Sequence, residues 1–453
     1  MCSTVHSWLT RLQEIAQIQK GSDLSIAVAC QESDVRQVKA LVLGPPGTPY
    51  EYGFFEFAVR FTNEYPSKPP KVDAKTTNNG RCRFNPNIYA GGKVCLSILG
   101  TWHGEKPGED WSSAQGLESV LWSIQSLMSN RPYENEPGYD VDRSEDDKKS
   151  NDKYCDKIKH ETIRIAVIQK LEEALGIQAD GTIEEEAPEP QWDEDEDEET
   201  KAEKERIEKL ARFDPFKDLY KRRFQWYLEH YLLTVEQEMP KHKDGAPFEK
   251  MPFEGGGNTM DGKFAYADLG KRLLRIKEVL SKETDKWATE GMDLVKREST
   301  KSSNLQRQFE QLSQHMKQKS MYNFSVELEN NNPFIWIITY FGKPMTHLDG
   351  GIFKIRVAIS PRFPDEQPRV RLETPLYHHR VSKDGILCYF PKKIEEMKDH
   401  VETIIEALEE ESPPFDPRTI VHPGAAKLLW GNDHEKKRYY RQLRRSAQAS
   451  VEE

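Results

Sequence analysis

Gly53-Phe54-Phe55-Glu56-Phe57-Ala58-Val59-Arg60-Phe61 sets bulky apolar side chains at every second position behind a glycine. Gly351-Ile352-Phe353-Lys354-Ile355-Arg356-Val357-Ala358-Ile359 does the same 298 residues later. A period of two places alternate side chains on one face, so both segments read as half-buried strands. The same offset carries Tyr65-Pro66 onto Phe363-Pro364 and Pro70 onto Pro368. Beyond that it contracts, to 293 between Cys95 and Cys388 and to 284 between Glu118-Ser119-Val120-Leu121 and Glu402-Thr403-Ile404-Ile405. Self-similarity of this kind decides the architecture before any single motif does. The chain reads as two diverged copies of one domain whose loops are shorter in the second.

Around the first strand, helical spacing from Ser7 to Lys20 is followed by strand patterns at Leu24–Ala29, Gln37–Leu43, Phe54–Phe61 and Lys71–Lys75. Amphipathic helices return at Gly116–Ser129 and Lys153–Leu175. Strands followed by helices, without alternation, indicate an α+β fold. The expected organisation is a first domain at 1–178, an acidic linker at 179–203, a helical connector at 204–320 and a second domain at 321–453. The connector carries Phe213, Phe216, Tyr220, Phe224, Trp226, Tyr227 and Tyr231 at helical spacing, expected to be core packing. The first helix of the second copy is expected between Ala265 and Lys319.

The 453 residues are 36% apolar and 31% charged, which suits several modest cores rather than one large one. The net charge of −11 is accounted for by Glu184–Glu199, which holds 11 acids and no base. That run cannot bury enough apolar surface to offset its ordering entropy, so it reads as a solvated tether. With the rest of the chain neutral, no global field draws it to nucleic acid or an anionic membrane. The basic helix His434–Arg445 reads as an exposed face, with docking of an acidic partner as the alternative. The six cysteines (Cys2, Cys30, Cys82, Cys95, Cys155, Cys388) form neither a dense framework nor a paired CxxC, so reduced thiols and no metal site are expected. Without a leader pattern or about 18 unbroken apolar residues, the expected location is the cytoplasm or nucleus. Gly257–Lys263 satisfies GxxxxGK, but Phe264 stands where magnesium needs a hydroxyl, and it is dismissed as a nucleotide site.

A lone cysteine in Val94-Cys95-Leu96-Ser97-Ile98-Leu99 would ordinarily be a small buried hydrophobe. The segment before it changes that reading. In Arg83-Phe84-Asn85-Pro86-Asn87-Ile88-Tyr89-Ala90-Gly91-Gly92-Lys93, a proline-fixed turn sets a carboxamide eight residues ahead of the thiol, and an amide donor suits the oxyanion of acyl transfer. No protease dyad spacing is present; His103 leaves a hydrolase unsupported rather than excluded. A thiol without an adjacent base suits thioester exchange with an already activated acyl group.

Gly44-Pro45-Pro46-Gly47-Thr48-Pro49-Tyr50-Glu51, Tyr65-Pro66-Ser67-Lys68-Pro69-Pro70, Asn85-Pro86-Asn87, Gly92-Lys93-Val94-Cys95-Leu96 and Trp111-Ser112-Ser113-Ala114 occur in order through about 150 residues. In these motifs the first copy resembles the catalytic domain of ubiquitin-conjugating enzymes. The resemblance implies a UBC fold, an antiparallel four-stranded sheet with flanking helices. It implies that Cys95 accepts ubiquitin or a ubiquitin-like protein from an activating enzyme and passes it to a lysine-bearing protein. No cofactor is bound; the activating enzyme uses ATP and magnesium. It gives Asn87 the oxyanion or loop-organising role.

Departures from the family pattern shape further expectations. Asn85 replaces the family's histidine, and a short polar side chain is expected to keep the turn through bonds to local backbone. Ser97 stands where many members have an acid, so the acid beside the lysine path is expected at Glu136, with Glu134 as the alternative. Trp102, in the long loop Gly100–Asp110, is a candidate gate over Cys95. Ser67 and Ser113 replace apolar and proline positions that face ligases, so a ubiquitin ligase remains a candidate partner with weakened docking. Asn135-Glu136-Pro137-Gly138 and Met251-Pro252-Phe253-Glu254 resemble the large, atypical members that carry helical extensions, over about the first 280 residues.

The second copy resembles the same fold but reads His378-His379-Arg380 where the first has Asn85-Pro86-Asn87. Two expectations follow. Either Cys388 is a second acceptor with Arg380 at the oxyanion and basic neighbours lowering its pKa, or the copy keeps the fold and acts as a regulatory or auxiliary domain. The rival reading for the whole chain is a non-catalytic ubiquitin-binding scaffold.

Overall fold

Alternation at Phe55, Phe57 and Val59 produces the strand it predicts. β3 (Phe54–Arg60) lies between β2 (Asp34–Leu43) and β4 (Lys71–Ala74), with β1 (Ile26–Gln31) outside β2, in a four-stranded antiparallel sheet of order β1-β2-β3-β4. The computed structural model describes residues 2–21, 24–102, 110–184, 213–318 and 322–452. A second sheet repeats the first: β5 (Phe324–Leu328), β6 (Ile335–Phe341), β7 (Ile352–Ala358) and β8 (Arg369–Leu372), again antiparallel and in sequence order. β3 and β7, and β4 and β8, keep the 298-residue offset at both ends. Phe363-Pro364 and Tyr65-Pro66 share a cis peptide bond.

Gly44 and Gly342 hold the same offset for a steric reason. A Cβ at Gly44 would lie 1.7 Å from the Tyr50 carbonyl oxygen, and one at Gly342 would lie 1.6 Å from that of Leu348. The turn folds back over the strand end so closely that only glycine fits.

The chain divides into two units. The first comprises residues 1–220 with 239–269, and the second 221–238 with 270–453. The helical connector expected at 204–320 therefore contributes to both. In the first unit the sheet packs its Val38, Ala40, Phe55, Phe57 and Val59 against α1 (Cys2–Lys20) through Ile15 and against α2 (Leu117–Leu127) through Leu117, Val120, Leu121 and Ile124. Each such side chain contributes about 1.5–3 kcal/mol when fully buried. The Glu14 carboxylate accepts the Leu117 N–H at 2.8 Å, capping α2 at an N-terminus that Gly116 leaves without a side-chain cap. The helix expected at 153–175 begins earlier, at Ser144, whose side chain caps Glu145–Glu161. It passes through a π-helical stretch, Thr162–Gln169, before ending at Gly176.

The other face of β3 is less open than the alternation suggests. Glu56 accepts from the Tyr220 hydroxyl at 2.6 Å and pairs with Lys170 at 3.0 Å, while Phe54 meets the Tyr220 ring at 5.1 Å. In the second unit the expected first helix is Thr300–Gln318, which delivers Leu305 and Leu312 to a core with Phe353, Ile355 and Val357 of β7. Helices Met397–Glu409, Pro423–Leu429 and Asp433–Ala449 also belong to that unit, as do most of Lys217–Glu238 and of Tyr266–Lys296. Among the described residues no helix is long and apolar enough to cross a membrane. The linker from residue 185 to 203 lies outside the described residues.

Candidate active site

Asn87 and Cys95 face each other across a short antiparallel ribbon. The Cys95 N–H donates to Asn87 O at 2.8 Å and the Tyr89 N–H to Lys93 O at 2.9 Å, with Ile88 bridged to Val94 between them. Ile88 and Val94 point into the core, so Asn87, Tyr89, Lys93 and Cys95 share the opposite face. The eight-residue spacing read from the sequence is this pairing. The Asn87 carboxamide donates to the backbone oxygen of Cys95 itself, at 2.9 Å. It organises the cysteine's backbone in this state through one of the amide's two N–H groups. The thiol is free but only 3% exposed.

Asn85 is fully buried and anchors the turn. Its amide donates to Leu127 O at 2.9 Å and to the Tyr50 hydroxyl at 3.1 Å, and its oxygen accepts the Asn87 N–H at 2.9 Å and the Asn135 amide at 3.2 Å. Thr101 ties the segment beyond the cysteine back, its hydroxyl donating to Val94 O at 2.7 Å and accepting from the Leu96 N–H at 3.0 Å. Trp102 is 46% exposed, and most of the loop expected to act with it, residues 103–109 and so His103, lies outside the described residues.

Glu136 pairs with Arg83 at 2.9 Å; the arginine is 3% exposed and the acid 27%. Glu134 instead meets Arg131 and the Val141 N–H. Arg83 is a residue the motif reading passed over. Its guanidinium also donates to Pro86 O at 2.7 Å and Phe253 O at 3.1 Å and lies 4.9 Å from the Tyr89 ring centre. Phe253 belongs to the extension Met251-Pro252-Phe253-Glu254, which returns to the site. The Arg83 N–H donates to Thr259 O at 2.9 Å, and the Ala90 N–H to the Asn258 side chain at 3.0 Å. The buried pair Lys157–Glu254, at 2.6 Å, locks that return in place, with Glu254 also accepting the Met251 and Met260 N–H groups. Alternation could have flagged Tyr89; nothing local flags the extension.

The second copy preserves the ribbon. Cys388 N–H donates to Arg380 O at 2.9 Å, Val381 bridges Leu387, and His378 Nδ1 accepts the Arg380 N–H at 3.2 Å, as Asn85 does for Asn87. The surroundings of its thiol differ. Cys388 has no exposed surface, and residues 221–238 of the helix Lys217–Glu238, which belong to the second unit, roof it. The Trp226 indole N–H donates to Leu387 O at 3.1 Å, the Tyr227 hydroxyl to Arg418 O at 2.8 Å, and His230 Nε2 to Ile420 O at 3.0 Å. Basic neighbours were expected to lower the Cys388 pKa. Instead burial pushes it up to about 12, outweighing Arg380 and Arg223. The Arg380 guanidinium, expected at an oxyanion, pairs with Glu410 at 2.7 Å.

A model of the ubiquitin-conjugating enzyme family matches residues 10–162 and 304–406, over half of the chain. Ubiquitin-conjugating enzyme E2 Z of Xenopus tropicalis is 49% identical over 160 residues, which cover 35% of this chain and 49% of that protein. The Homo sapiens protein of the same name is 48% identical over 160 residues, 35% of this chain and 43% of that one. The Homo sapiens dual E2 ubiquitin-conjugating enzyme/E3 ubiquitin-protein ligase BIRC6 is 43% identical over 153 residues, 33% of this chain and 3% of that protein. The match thus spans about half or less of these curated relatives. With the family model on both copies, two UBC-type sheets and the motif cysteine set in its ribbon, the chain belongs to the ubiquitin-conjugating enzyme family.

Proposed function

We propose that the first unit conjugates ubiquitin or a ubiquitin-like protein through a thioester on Cys95. An activating enzyme, using ATP and magnesium, supplies the activated carboxyl terminus. The Cys95 sulfur forms the new C–S bond and the activating enzyme's thiol leaves. In the second step the neutral amine of a substrate lysine forms a C–N bond to the thioester carbon, and the carbonyl electron pair moves onto oxygen. Collapse of that oxyanion breaks the C–S bond and expels the Cys95 thiolate, while the amine proton passes to the Glu136 carboxylate, which Arg83 holds at the site. Asn85 keeps the turn and Asn87 keeps the Cys95 backbone in register. No metal or cofactor takes part on this chain.

The observation that carries this reading is the Asn87–Cys95 pairing, with the carboxamide bonded to the cysteine's own carbonyl. The second unit is assigned a regulatory or auxiliary role, because its thiol is buried and its arginine is committed to Glu410. The free state of Cys30, Cys82, Cys95, Cys155 and Cys388 suits a reducing compartment, cytoplasm or nucleus. A ubiquitin ligase is a further proposed partner. The low exposure of Cys95 favours the rival reading, a ubiquitin-binding scaffold, and one experiment separates the two. The chain is incubated with activating enzymes, ATP, magnesium and a panel of modifiers and run on a non-reducing gel. A thiol-sensitive adduct lost in Cys95→Ala supports conjugation; no adduct with any modifier supports the scaffold.

A further inference from the structure

Ile355 and Val357 of β7 and Val370 and Leu372 of β8 point into the core of the second unit, so Arg356, Arg369 and Arg371 share the opposite face of the sheet. Arg356 and Arg371 lie directly opposite each other across the two strands. Residues 270–296 of the helix Tyr266–Lys296, which belong to the same unit, cover part of this face, with Trp287 packed on Ile335, Ile337 and Ala358. Between the sheet, this helix and residues 221–238 lies a cavity of about 360 Å³, within the roughly 300–1,000 Å³ of small-molecule sites. Phe224, Leu228, Ala358 and Ile386 give it an apolar wall. The three arginines and Lys277 line it as well, against the acids Glu229, Asp285 and Asp384. We propose that this cavity binds a small organic phosphate monoester, its phosphate held between Arg371 and Arg356 and its organic body lying on Phe224, Leu228 and Ile386.

The charged groups differ in what they have left to offer. Lys277 pairs with Asp384 at 2.6 Å, Arg356 pairs with Glu329, and the Glu229 carboxylate accepts the Lys383 N–H at 2.6 Å. Asp285 is exposed, where solvent screens it. Arg369 is buried, donating to Gln367 O at 2.7 Å with its guanidinium 5.2 Å from the Trp287 ring centre. Arg371 spends only Nε, on Asp384 O at 3.0 Å; its two terminal nitrogens have no partner among the described residues. Like charges directly opposite on a sheet repel, so an anion between them is the complement. A carboxylate brings one charge and fills one guanidinium fork, whereas a phosphate monoester brings nearly two and accepts from both. At the 298-residue offset the first copy has Ala58 opposite Asp73 in place of Arg356 opposite Arg371, and its own basic pair, Arg60 opposite Lys71, is exposed. The arrangement belongs to the second copy.

The site is independent of thioester chemistry at Cys95, and its test needs no activating enzyme. The full-length chain is titrated calorimetrically with AMP and with phenyl phosphate, and adenosine and inorganic phosphate serve as the comparison arms. At least one ester is expected to bind one to one, and both comparison compounds at least about 10-fold more weakly. Arg371→Met keeps much of the stem and removes the guanidinium, and it is expected to weaken the ester by about 10–100-fold, the worth of charge-assisted hydrogen bonds. Failure of both esters to bind overturns the proposal, as does adenosine bound as tightly as AMP or an unchanged affinity in Arg371→Met. Inorganic phosphate bound as tightly as the esters overturns the assignment to an organic phosphate. Should Arg371→Met fail to fold, phenylglyoxal labelling of the wild type, read by peptide mass spectrometry, decides. The bound ester is expected to protect Arg371 and leave the exposed Arg441 unchanged; equal labelling of Arg371 with and without the ester refutes the site.

Discussion

Trp226→Ala opens the roof over the second cysteine, and its consequence can be sized from the structure. Burial places the Cys388 thiol at about 12 against an ordinary 9.0. Near pH 8 that gap lowers the thiolate fraction by roughly 10³-fold, before any steric exclusion is counted. Trp226 is buried, its indole N–H bonds Leu387 O, and its ring meets Phe390 at 5.2 Å and the Arg223 guanidinium at 5.0 Å. Removing it admits water beside the sulfur at a cost of about 3–5 kcal/mol in packing. Iodoacetamide labelling followed by peptide mass spectrometry reads each cysteine separately. In the wild type Cys388 is expected to label far more slowly than the half-buried Cys30. In Trp226→Ala, with folding verified by a thermal melt, it is expected to gain roughly 10²–10³-fold while Cys95 is unchanged. Wild-type labelling of Cys388 as fast as Cys30 would refute the roof and, with it, the structural assignment of this thiol.

Three further outcomes follow from buried polar groups. Asn85→Ala strips the partner from the Asn87 N–H and one of two donors from the Leu127 carbonyl, which keeps the Asn135 amide, and is expected to lower stability by about 1–3 kcal/mol, read as a drop in the denaturant midpoint, and to slow discharge from Cys95. Lys157→Met leaves the Glu254 carboxylate buried without its cation, costing about 3–5 kcal/mol, and hydrogen exchange is expected to rise across residues 245–265. Burial holds His230 near pKa 4 and His378 near 3, below the ordinary 6.5. The unfolded chain therefore binds more protons below pH 6.5, and stability present at pH 7.5 is lost as pH falls from 6.5 toward 4. Each histidine removes about 2 kcal/mol at pH 5, which exchange-rate-corrected hydrogen exchange of the second unit measures; protection unchanged between pH 7.5 and 5 would contradict it.

Much of the fold was legible because two periods coincide in it. The alternation at Phe55, Phe57 and Val59 specifies a strand, and its recurrence at Phe353, Ile355 and Val357 specifies a second copy, so the turn prolines came with the offset, while the four-stranded antiparallel sheet came with the family resemblance. The ribbon around Cys95 was legible as a spacing between Asn87 and the thiol. What that spacing did not carry was the direction of the amide, which turns to the Cys95 carbonyl. Arg83 escaped notice because its value lies in contacts made by Phe253 and Thr259, about 170 residues away. Helical spacing likewise marked Trp226 and Tyr227 as packing residues without saying what they cover. At Cys388, counting basic neighbours pointed one way and desolvation the other; how much of a thiol is buried is a tertiary fact, and there it dominates.

The central claim is that one sulfur, that of residue 95, carries the modifier. Charging the full-length chain, digesting it at low pH without reductant and locating the thioester-linked peptide by mass spectrometry tests this directly. The account expects the modifier's carboxyl terminus on Cys95 alone, unaffected by Cys388→Ala. A modifier found on Cys388, or retained after Cys95→Ala, would contradict it.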